Sequence, residues 1–218
     1  MTVLPLRRES AASTIAADLR NALLSGRLAP GTPLPPGSLA ELTGSHPATV
    51  RAALSELERD GLVVHSLHRG MEVARITAEE LRDVYAARRV YEVAGLKSLL
   101  RRRPVDLSWL NAAVDRMGEA MIADDERALV EADMAFHLAI VAAAGSRRLT
   151  RAAQSALMEL RLVLSVADRA TADRAALVAD HQYLVEVFRS AHVRESVAAL
   201  EDHLERGEVL ARTGASVL

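Results

Sequence analysis

Apolar residues recur every three or four positions along most of the chain, which is typical of amphipathic helices packed on a core. In the N-terminal part three such stretches are short and separated by Gly and Pro, near residues 13–25, 38–43 and 47–60. The later stretches are longer and predict six further helices. The pattern therefore predicts a mainly α protein with two domains, residues 1–75 and 76–218.

A β-hairpin is predicted after the third helix, where two short apolar stretches are joined by the sequence LHRG. Helix, short helix, tight turn, helix and hairpin is the order of a winged helix-turn-helix, whose recognition helix enters the major groove with its N-terminal residues. Thr49 and Arg51 would then face the DNA, and Arg can pair with guanine through two hydrogen bonds. Arg69 and Gly70 lie at the hairpin tip, where glycine permits close backbone approach. The alternative is a small helical domain with ordinary solvated charges.

Within the stretch from 126 to 144, residues 130–144 are apolar on nearly all sides of a helix, which predicts a position in the middle of a helical bundle. Asp133 and His137 are four residues apart and share a face with Phe136 and Ile140. A buried carboxylate is costly unless it is paired or bound to a metal. The pair is therefore either half of a metal site or a buried Asp–His contact that stiffens the core.

Two further histidines favour a metal site. His181 and His203 both lie on apolar stripes of predicted helices in the C-terminal half. Three histidines and one aspartate form a donor set that suits a divalent ion, with zinc first and nickel or manganese as alternatives. A binding site without metal, in which the histidines are core polar contacts, remains open at this point.

Arg88 lies on the inward stripe of the first helix of the C-terminal domain, and Glu92 follows one turn later. A buried arginine needs an anion. Glu92 could supply that anion in a structural ion pair. Alternatively, Arg88 binds the carboxylate of a small ligand, and Glu92 orients the arginine.

Composition narrows the class of protein. The chain has no cysteine, which excludes disulfides and thiolate metal sites, and its net charge of -2 leaves room for a local DNA-binding surface. No apolar stretch reaches the roughly 18 residues of a membrane span, and the N-terminus lacks the apolar core of a signal peptide. These features predict a cytoplasmic protein with no membrane partner.

Two sets of motifs resemble a known family. SGRLAPGTPLP, LAELTGSHPATVRAALSELERDGLV and HRGMEV resemble the DNA-binding domain of GntR-family bacterial repressors. ARRVYE, DMAFH, DHQ and DHL resemble the FCD effector domain of the FadR subfamily, in its shorter, VanR-like form with six helices. The resemblance implies a dimeric transcription factor whose operator binding is controlled by a small metabolite, and not an enzyme.

The resemblance also implies roles for particular residues. Family members commonly hold a metal through one Asp and three His, and bind the effector through an Arg four residues before a Glu. These positions correspond to the metal set and to the Arg88–Glu92 pair described above. Many relatives read Ser-Arg-Thr-Pro-Val-Arg at the start of the recognition helix, whereas this chain has Pro47 in place of the first Arg.

A second basic position of the family is Ser38 here, so the sequence predicts DNA contacts from an altered set: Ser38, His46, Thr49, Arg51, Arg69 and Gly70. The main alternative function is a metal-dependent enzyme that uses the same Asp and His residues, although no HExxH pattern occurs. Another is a binding module that does not bind DNA.

Overall fold

A computed structural model describes residues 10–67, 69–102, 104–166 and 173–215. The chain divides into two compact units, which meet between Arg75 and Ile76. None of the helices formed by the described residues combines the length and the hydropathy needed to span a bilayer.

The N-terminal unit has the predicted order of three helices and a hairpin. Its elements are α1 (Ala11–Leu24), α2 (Pro36–Thr43), α3 (Pro47–Arg59), β1 (Val63–Ser66) and β2 (Gly70–Val73). Helix α3 contacts α1, α2 and β1 and so lies at the centre of this unit. Its inward face is formed by Val50, Leu54 and Leu57, which are almost fully buried.

The turn between α2 and α3 is set by local sequence. Gly44 ends α2 in the left-handed conformation, with φ of 60°, which glycine adopts without steric cost. Pro47 occupies the first turn of α3, where its missing N–H is not needed. His46 caps the helix, because its Nδ1 accepts a hydrogen bond from the Ala48 N–H at 3.2 Å.

The two strands form an antiparallel hairpin in which Val63 pairs with Val73 and Ser66 pairs with Gly70. Gly70 has φ of 77°, so the backbone favours the predicted glycine at the hairpin tip, although an added Cβ would meet no atom of the described residues within 4 Å. His68 lies outside the described residues. The fold class predicted from the sequence, a winged helix-turn-helix followed by an all-α domain, is confirmed.

The C-terminal unit is entirely helical in its described residues. Its helices are α4 (Ala78–Leu100), α5 (Ser108–Ile122), α6 (Glu126–Ala142), α7 (Arg147–Val166), α8 (Arg174–Arg189) and α9 (Val193–Ala215). Helix α4 contacts α6, α7 and α9, whereas α6 contacts α4, α5 and α7. Helix α9 extends to Ala215, the last residue that the structure describes.

Helix α4 begins with a capping box. The Thr77 hydroxyl accepts the Glu80 N–H, and the Glu80 carboxylate accepts the Thr77 N–H at 2.7 Å. Further along α4, Gly95 packs directly on α6: a Cβ atom there would lie 2.1 Å from the Ile140 carbonyl oxygen. This glycine therefore lets the two helix backbones approach closely.

Helix α6 supplies the centre of the core, as its apolar sequence predicted. Phe136 and Ile140 are fully buried, and so are Phe188 on α8 and Leu200 on α9. The same inward face of α6 carries His137, which is only 2% exposed. The core of this unit thus surrounds a small group of polar side chains.

Candidate metal centre and DNA-binding surface

Three helices bring the predicted metal ligands together. Helix α6 carries Asp133 and His137, α8 carries His181, and α9 carries His203. The three histidines are buried, whereas the Asp133 side chain is 17% exposed. One nitrogen from each imidazole lies within 4.8 Å of the other two. The predicted set is therefore a single cluster in space.

The Nε2 atoms face the centre of this cluster. His137 Nε2 lies 3.3 Å from His203 Nε2. Asp133 Oδ1 lies 3.0 Å from His181 Nε2 and 3.8 Å from His137 Nε2. Zn–N bonds of about 2.0–2.1 Å would place two nitrogens of a tetrahedral site about 3.3–3.4 Å apart. The His137–His203 separation matches that value.

Each imidazole also contacts an acceptor through its other nitrogen, Nδ1. His137 Nδ1 lies 2.7 Å from the Glu92 carboxylate, and His203 Nδ1 lies 2.6 Å from the Asp180 carboxylate. His181 Nδ1 lies 2.9 Å from the backbone oxygen of Leu177. Such contacts place the proton of a neutral imidazole on Nδ1 and leave Nε2 as a metal donor.

The neutral cluster leaves its inward-facing atoms without suitable partners. With protons on Nδ1, the Nε2 atoms of His137 and His203 are both acceptors that face one another. His181 Nε2 faces the acidic oxygen of Asp133, but without hydrogen-bond geometry, and has no other partner among the described residues. A divalent cation at the centre would satisfy all four groups, so the residues present fit a metal.

Electrostatics support the same assignment. Burial disfavours a charged Asp133, but its contact with His181 and the nearby charge of Arg88 outweigh burial and hold its pKa well below the usual range. The pKa of His137 lies well below its ordinary value because the ring is buried and Arg88 is nearby. Burial lowers the pKa of His181, yet Asp133 raises it more strongly. A proton on His181 and a metal at the centre are therefore alternatives.

Arg88 and Glu92 form a buried ion pair next to this cluster. Arg88 Nε donates to Glu92 Oε1 at 2.9 Å, and the two side chains are 5% and 2% exposed. The other Glu92 oxygen, Oε2, contacts His137. Burial raises the pKa of Glu92, and the Arg88 charge opposes this rise. Glu92 therefore links the arginine to His137, a candidate metal ligand, and helical spacing did not predict this contact.

One guanidinium nitrogen of Arg88 lacks a partner. Nη2 is fully buried and makes no hydrogen bond with any residue that the structure describes. The guanidinium also lies 4.9 Å from the ring centre of Tyr85, whose pKa is raised to about 12 by burial. A buried cationic donor without an acceptor is costly, so Nη2 is suited to bind an anionic ligand.

Asp180 was not singled out from the sequence. It precedes His181 and therefore lies on a different face of α8, where it reaches His203 on α9. The only indication in the sequence was that Asp180 lies beside a predicted ligand. The contact from His181 to the backbone oxygen of Leu177 could not be predicted from residue type, because every residue has a backbone carbonyl.

The predicted DNA-contacting residues lie on the expected elements. Ser38 is exposed on α2, His46 and Arg51 are exposed at and near the start of α3, and Arg69 is exposed in the hairpin. Thr49 and Gly70 are partly buried. Because His46 Nδ1 caps α3, only the other edge of its ring is available for DNA.

Two domain families match the chain. Residues 11–73 match the bacterial regulatory proteins of the gntR family, and residues 83–206 match the FCD domain. The structure is similar to that of a GntR transcriptional regulator from Rhodococcus sp. RHA1. That comparison has 28% identity and a TM-score of 0.83, and it covers 94% of this chain and 99% of the other.

Two other proteins are also similar to this chain. The E. coli protein McbR/YncC has the same fold, with 18% identity and a TM-score of 0.75 over 94% of this chain and 99% of that one. A protein described as the probable D-xylose utilization operon transcriptional repressor of Paenarthrobacter nicotinovorans is 24% identical over 159 residues, which are 71% of this chain and 70% of the relative.

These families and relatives are transcriptional regulators and not enzymes, as the sequence predicted, so the enzymatic alternative is set aside. The FCD match alone extends over more than half of the chain. The chain therefore belongs to the GntR family of bacterial transcriptional regulators and carries an FCD domain in its C-terminal unit.

Proposed function

We propose that this regulator is a member of the FadR subfamily whose affinity for operator DNA is controlled by a small organic acid. The acid binds in the C-terminal unit at a centre that contains a divalent metal ion. The protein acts as a homodimer in the cytoplasm, where the two winged units of the dimer contact two half-sites about 34 Å apart, or one turn of DNA.

The observation that carries the proposal is the arrangement of the three imidazoles. Each has its Nδ1 next to an acceptor and its Nε2 directed to one point, beside the ionised Asp133. A core that needed only polar contacts between these rings would pair donors with acceptors. Here acceptors face acceptors, which favours a cation at the centre.

Asp133, His137, His181 and His203 would hold the metal, with zinc the first expectation and nickel or manganese the alternatives. The ion supplies positive charge and coordination positions that a ligand oxygen can take. Four protein ligands suit both a closed tetrahedral site and a larger octahedral site with open positions. Only the second geometry lets the effector bind the ion directly.

Arg88 supplies the argument for an acidic effector. Its Nε is already paired with Glu92, and its Nη2 is buried without an acceptor among the residues that the structure describes. A carboxylate bound to Nη2 would satisfy this nitrogen and leave the Glu92 pair in place. The effector would thus have one carboxylate on Arg88 and another oxygen near the metal.

Control of DNA binding then requires different effector affinities in two conformations. A shift from mostly DNA-bound to mostly free protein requires the effector to favour one state by about 5.5 kcal/mol. A metal ion and a guanidinium that both bind one small acid can supply such a difference in binding free energy.

The proposal is tested with operator DNA selected from a random-sequence pool by the wild-type protein. Fluorescence anisotropy would measure DNA affinity in the presence of a panel of mono- and dicarboxylates, with zinc, nickel or manganese or with a chelator. We expect at least one acid to change DNA affinity only when metal is present. Arg88→Gln should lose this response and still bind DNA.

If an acid changed the DNA affinity equally with a chelator and with metal, the proposed role of the metal would be wrong. An acid response that is the same in Arg88→Gln would overturn the role of Arg88. Arg89→Gln is a matched control, because Arg89 is adjacent on α4 but pairs with Glu208 at 2.8 Å. This control should keep the wild-type response.

A further inference from the structure

Two Arg–carboxylate–His groups converge on the proposed metal centre. The inner triad consists of Arg88, Glu92 and His137, and its side chains are all buried. The outer triad consists of Arg206, Asp180 and His203. In each, an arginine contacts one carboxylate oxygen and a histidine Nδ1 contacts the other. The same arrangement of arginine, carboxylate and histidine therefore directs the Nε2 atoms of His137 and His203 towards the proposed metal.

The outer triad reaches the surface of the C-terminal unit. Arg206 Nη2 donates to Asp180 Oδ1 at 2.6 Å, and the Arg206 side chain is 53% exposed. The Asp180 side chain is 28% exposed. It is held between an exposed cation and a buried imidazole, each of which contacts one of its carboxylate oxygens.

The contact with Asp180 fixes two properties of His203. An ionised carboxylate can only accept a hydrogen bond, so the imidazole must carry its proton on Nδ1 and present a lone pair from Nε2. The contact also sets the rotation of the ring, whose Nε2 lies 3.3 Å from that of His137. Without Asp180, water could reach the Nδ1 edge of the ring, and water accepts or donates a hydrogen bond equally well.

We propose that Asp180 is a positioning residue of the metal centre, which orients His203 and is itself held in place by Arg206 on α9. This inference rests on the proposed metal site and extends it to two residues outside the ligand set. Partners of this kind raise the basicity of a ligating imidazole and fix its orientation, and their loss costs about 10–100-fold in metal affinity.

The two side chains of this pair tolerate replacement better than those of the inner triad. Glu92 is buried between Arg88 and His137, so its replacement would disturb both the core and the metal site. Asp180 and Arg206 lie at the edge of the fold, and truncation there leaves no unpaired charge in the core. The outer triad therefore allows metal binding to be tested separately from folding.

The experiment measures zinc affinity of the full-length protein by competition with a chromophoric chelator. We expect Asp180→Ala to weaken zinc binding by about 10–100-fold, and Arg206→Ala to weaken it by a smaller factor. Asp202→Asn is the control, because Asp202 is exposed and adjacent to His203 in sequence. This control should keep the wild-type affinity.

A double-variant cycle separates positioning from a general structural effect. If Asp180 acts through His203, the Asp180→Ala/His203→Ala protein should bind zinc as weakly as His203→Ala alone. The visible absorption spectrum of the Co²⁺-loaded protein should also change in Asp180→Ala and stay unchanged in Asp202→Asn.

Three outcomes would overturn the inference. Wild-type affinity in Asp180→Ala would remove the positioning role and leave the metal site itself intact. Additive losses in the double variant would show that Asp180 acts independently of His203. Absence of zinc, nickel and manganese binding by the wild-type protein would overturn both this inference and the proposed metal-dependent function.

Discussion

The Nε2 atoms of His137 and His203 lie 3.3 Å apart, and their rings are stacked at an angle of 29°. Each ring has a carboxylate at its Nδ1, so neither Nε2 carries the proton when the ring is neutral. Two acceptors at this distance repel each other. This arrangement of the two rings is stable once a cation or a proton lies between the two Nε2 atoms. That requirement is the physical basis of the first prediction.

Zinc should stabilise the folded protein. At a free concentration of about 100 times the dissociation constant, a ligand of the native state adds about 2.7 kcal/mol. For a chain of this length this corresponds to a rise in Tm of about 5–11 °C. His181→Ala removes a ligand and should abolish most of this rise, which differential scanning calorimetry would measure with and without a chelator.

His192→Ala is the matched control for this experiment. His192 is a histidine at the surface between α8 and α9, with a side chain that is 70% exposed. We expect its zinc-dependent rise in Tm to equal that of the wild type. If zinc raised the Tm of His181→Ala as much as that of the wild type, the proposed metal site would be wrong.

Gly95→Ala should destabilise the C-terminal unit. The added methyl would lie 2.1 Å from the Ile140 carbonyl oxygen, so α4 and α6 must move apart. Overpacking of this kind typically costs about 1–3 kcal/mol, which a urea titration would measure. The same movement would separate Glu92 on α4 from His137 on α6 and should also weaken zinc binding.

Gly118→Ala distinguishes this clash from the general effect of alanine in a helix. Gly118 lies within α5, and outside its local backbone no atom of the described part of the chain lies within 4 Å of the added Cβ. Alanine should therefore stabilise the protein by about 0.5–1 kcal/mol. If Gly95→Ala were also stabilising, the close approach of α4 and α6 would be wrong.

Arg51→Ala should weaken operator binding without loss of stability, because Arg51 is exposed near the N-terminus of α3. A specific base contact would contribute about 1–3 kcal/mol, whereas a phosphate contact would mainly reduce the salt dependence of binding by about one unit. Anisotropy titrations at several salt concentrations would distinguish these two kinds of contact.

Arg59→Ala is the control for Arg51. Arg59 is exposed at the opposite end of α3, where its Nε donates to the Ser55 carbonyl oxygen at 3.2 Å. If α3 enters the groove by its N-terminus, this replacement should affect operator binding much less. A larger loss for Arg59→Ala than for Arg51→Ala would contradict the orientation assigned to the recognition helix.

Arg88→Met should destabilise the metal-free protein by about 3–5 kcal/mol, since it leaves the buried Glu92 carboxylate without its cationic partner. Arg88→Met/Glu92→Gln should recover part of that loss, because no buried charge then remains at these two positions. Urea unfolding in the presence of a chelator would measure both changes. A double variant that is less stable than Arg88→Met would contradict this account.

The sequence predicted most of the architecture because burial repeats regularly along each helix. Val50, Leu54 and Leu57 mark the inner face of α3, and Phe136 with Ile140 marks that of α6. Gly and Pro marked the turn before the recognition helix. Periodicity also placed His137, His181 and His203 on inward faces, and all three are buried.

The hydrogen-bond partners of these histidines were harder to predict from the sequence. The contact from Glu92 to His137 depends on the separation of α4 and α6, which Gly95 sets. The contact from Asp180 to His203 depends on how α8 and α9 are rotated about their axes. Periodicity within one helix gives the buried face, but it contains no information on these interhelical distances and rotations.

The three imidazoles differ in how their orientation can change during evolution. A single nucleotide substitution can remove the carboxylate beside His137 or His203, but none can delete the Leu177 carbonyl that fixes His181. We therefore expect metal preference among descendants of this gene to diverge through codons 92 and 180. The orientation of the third imidazole would be inherited with the helix itself.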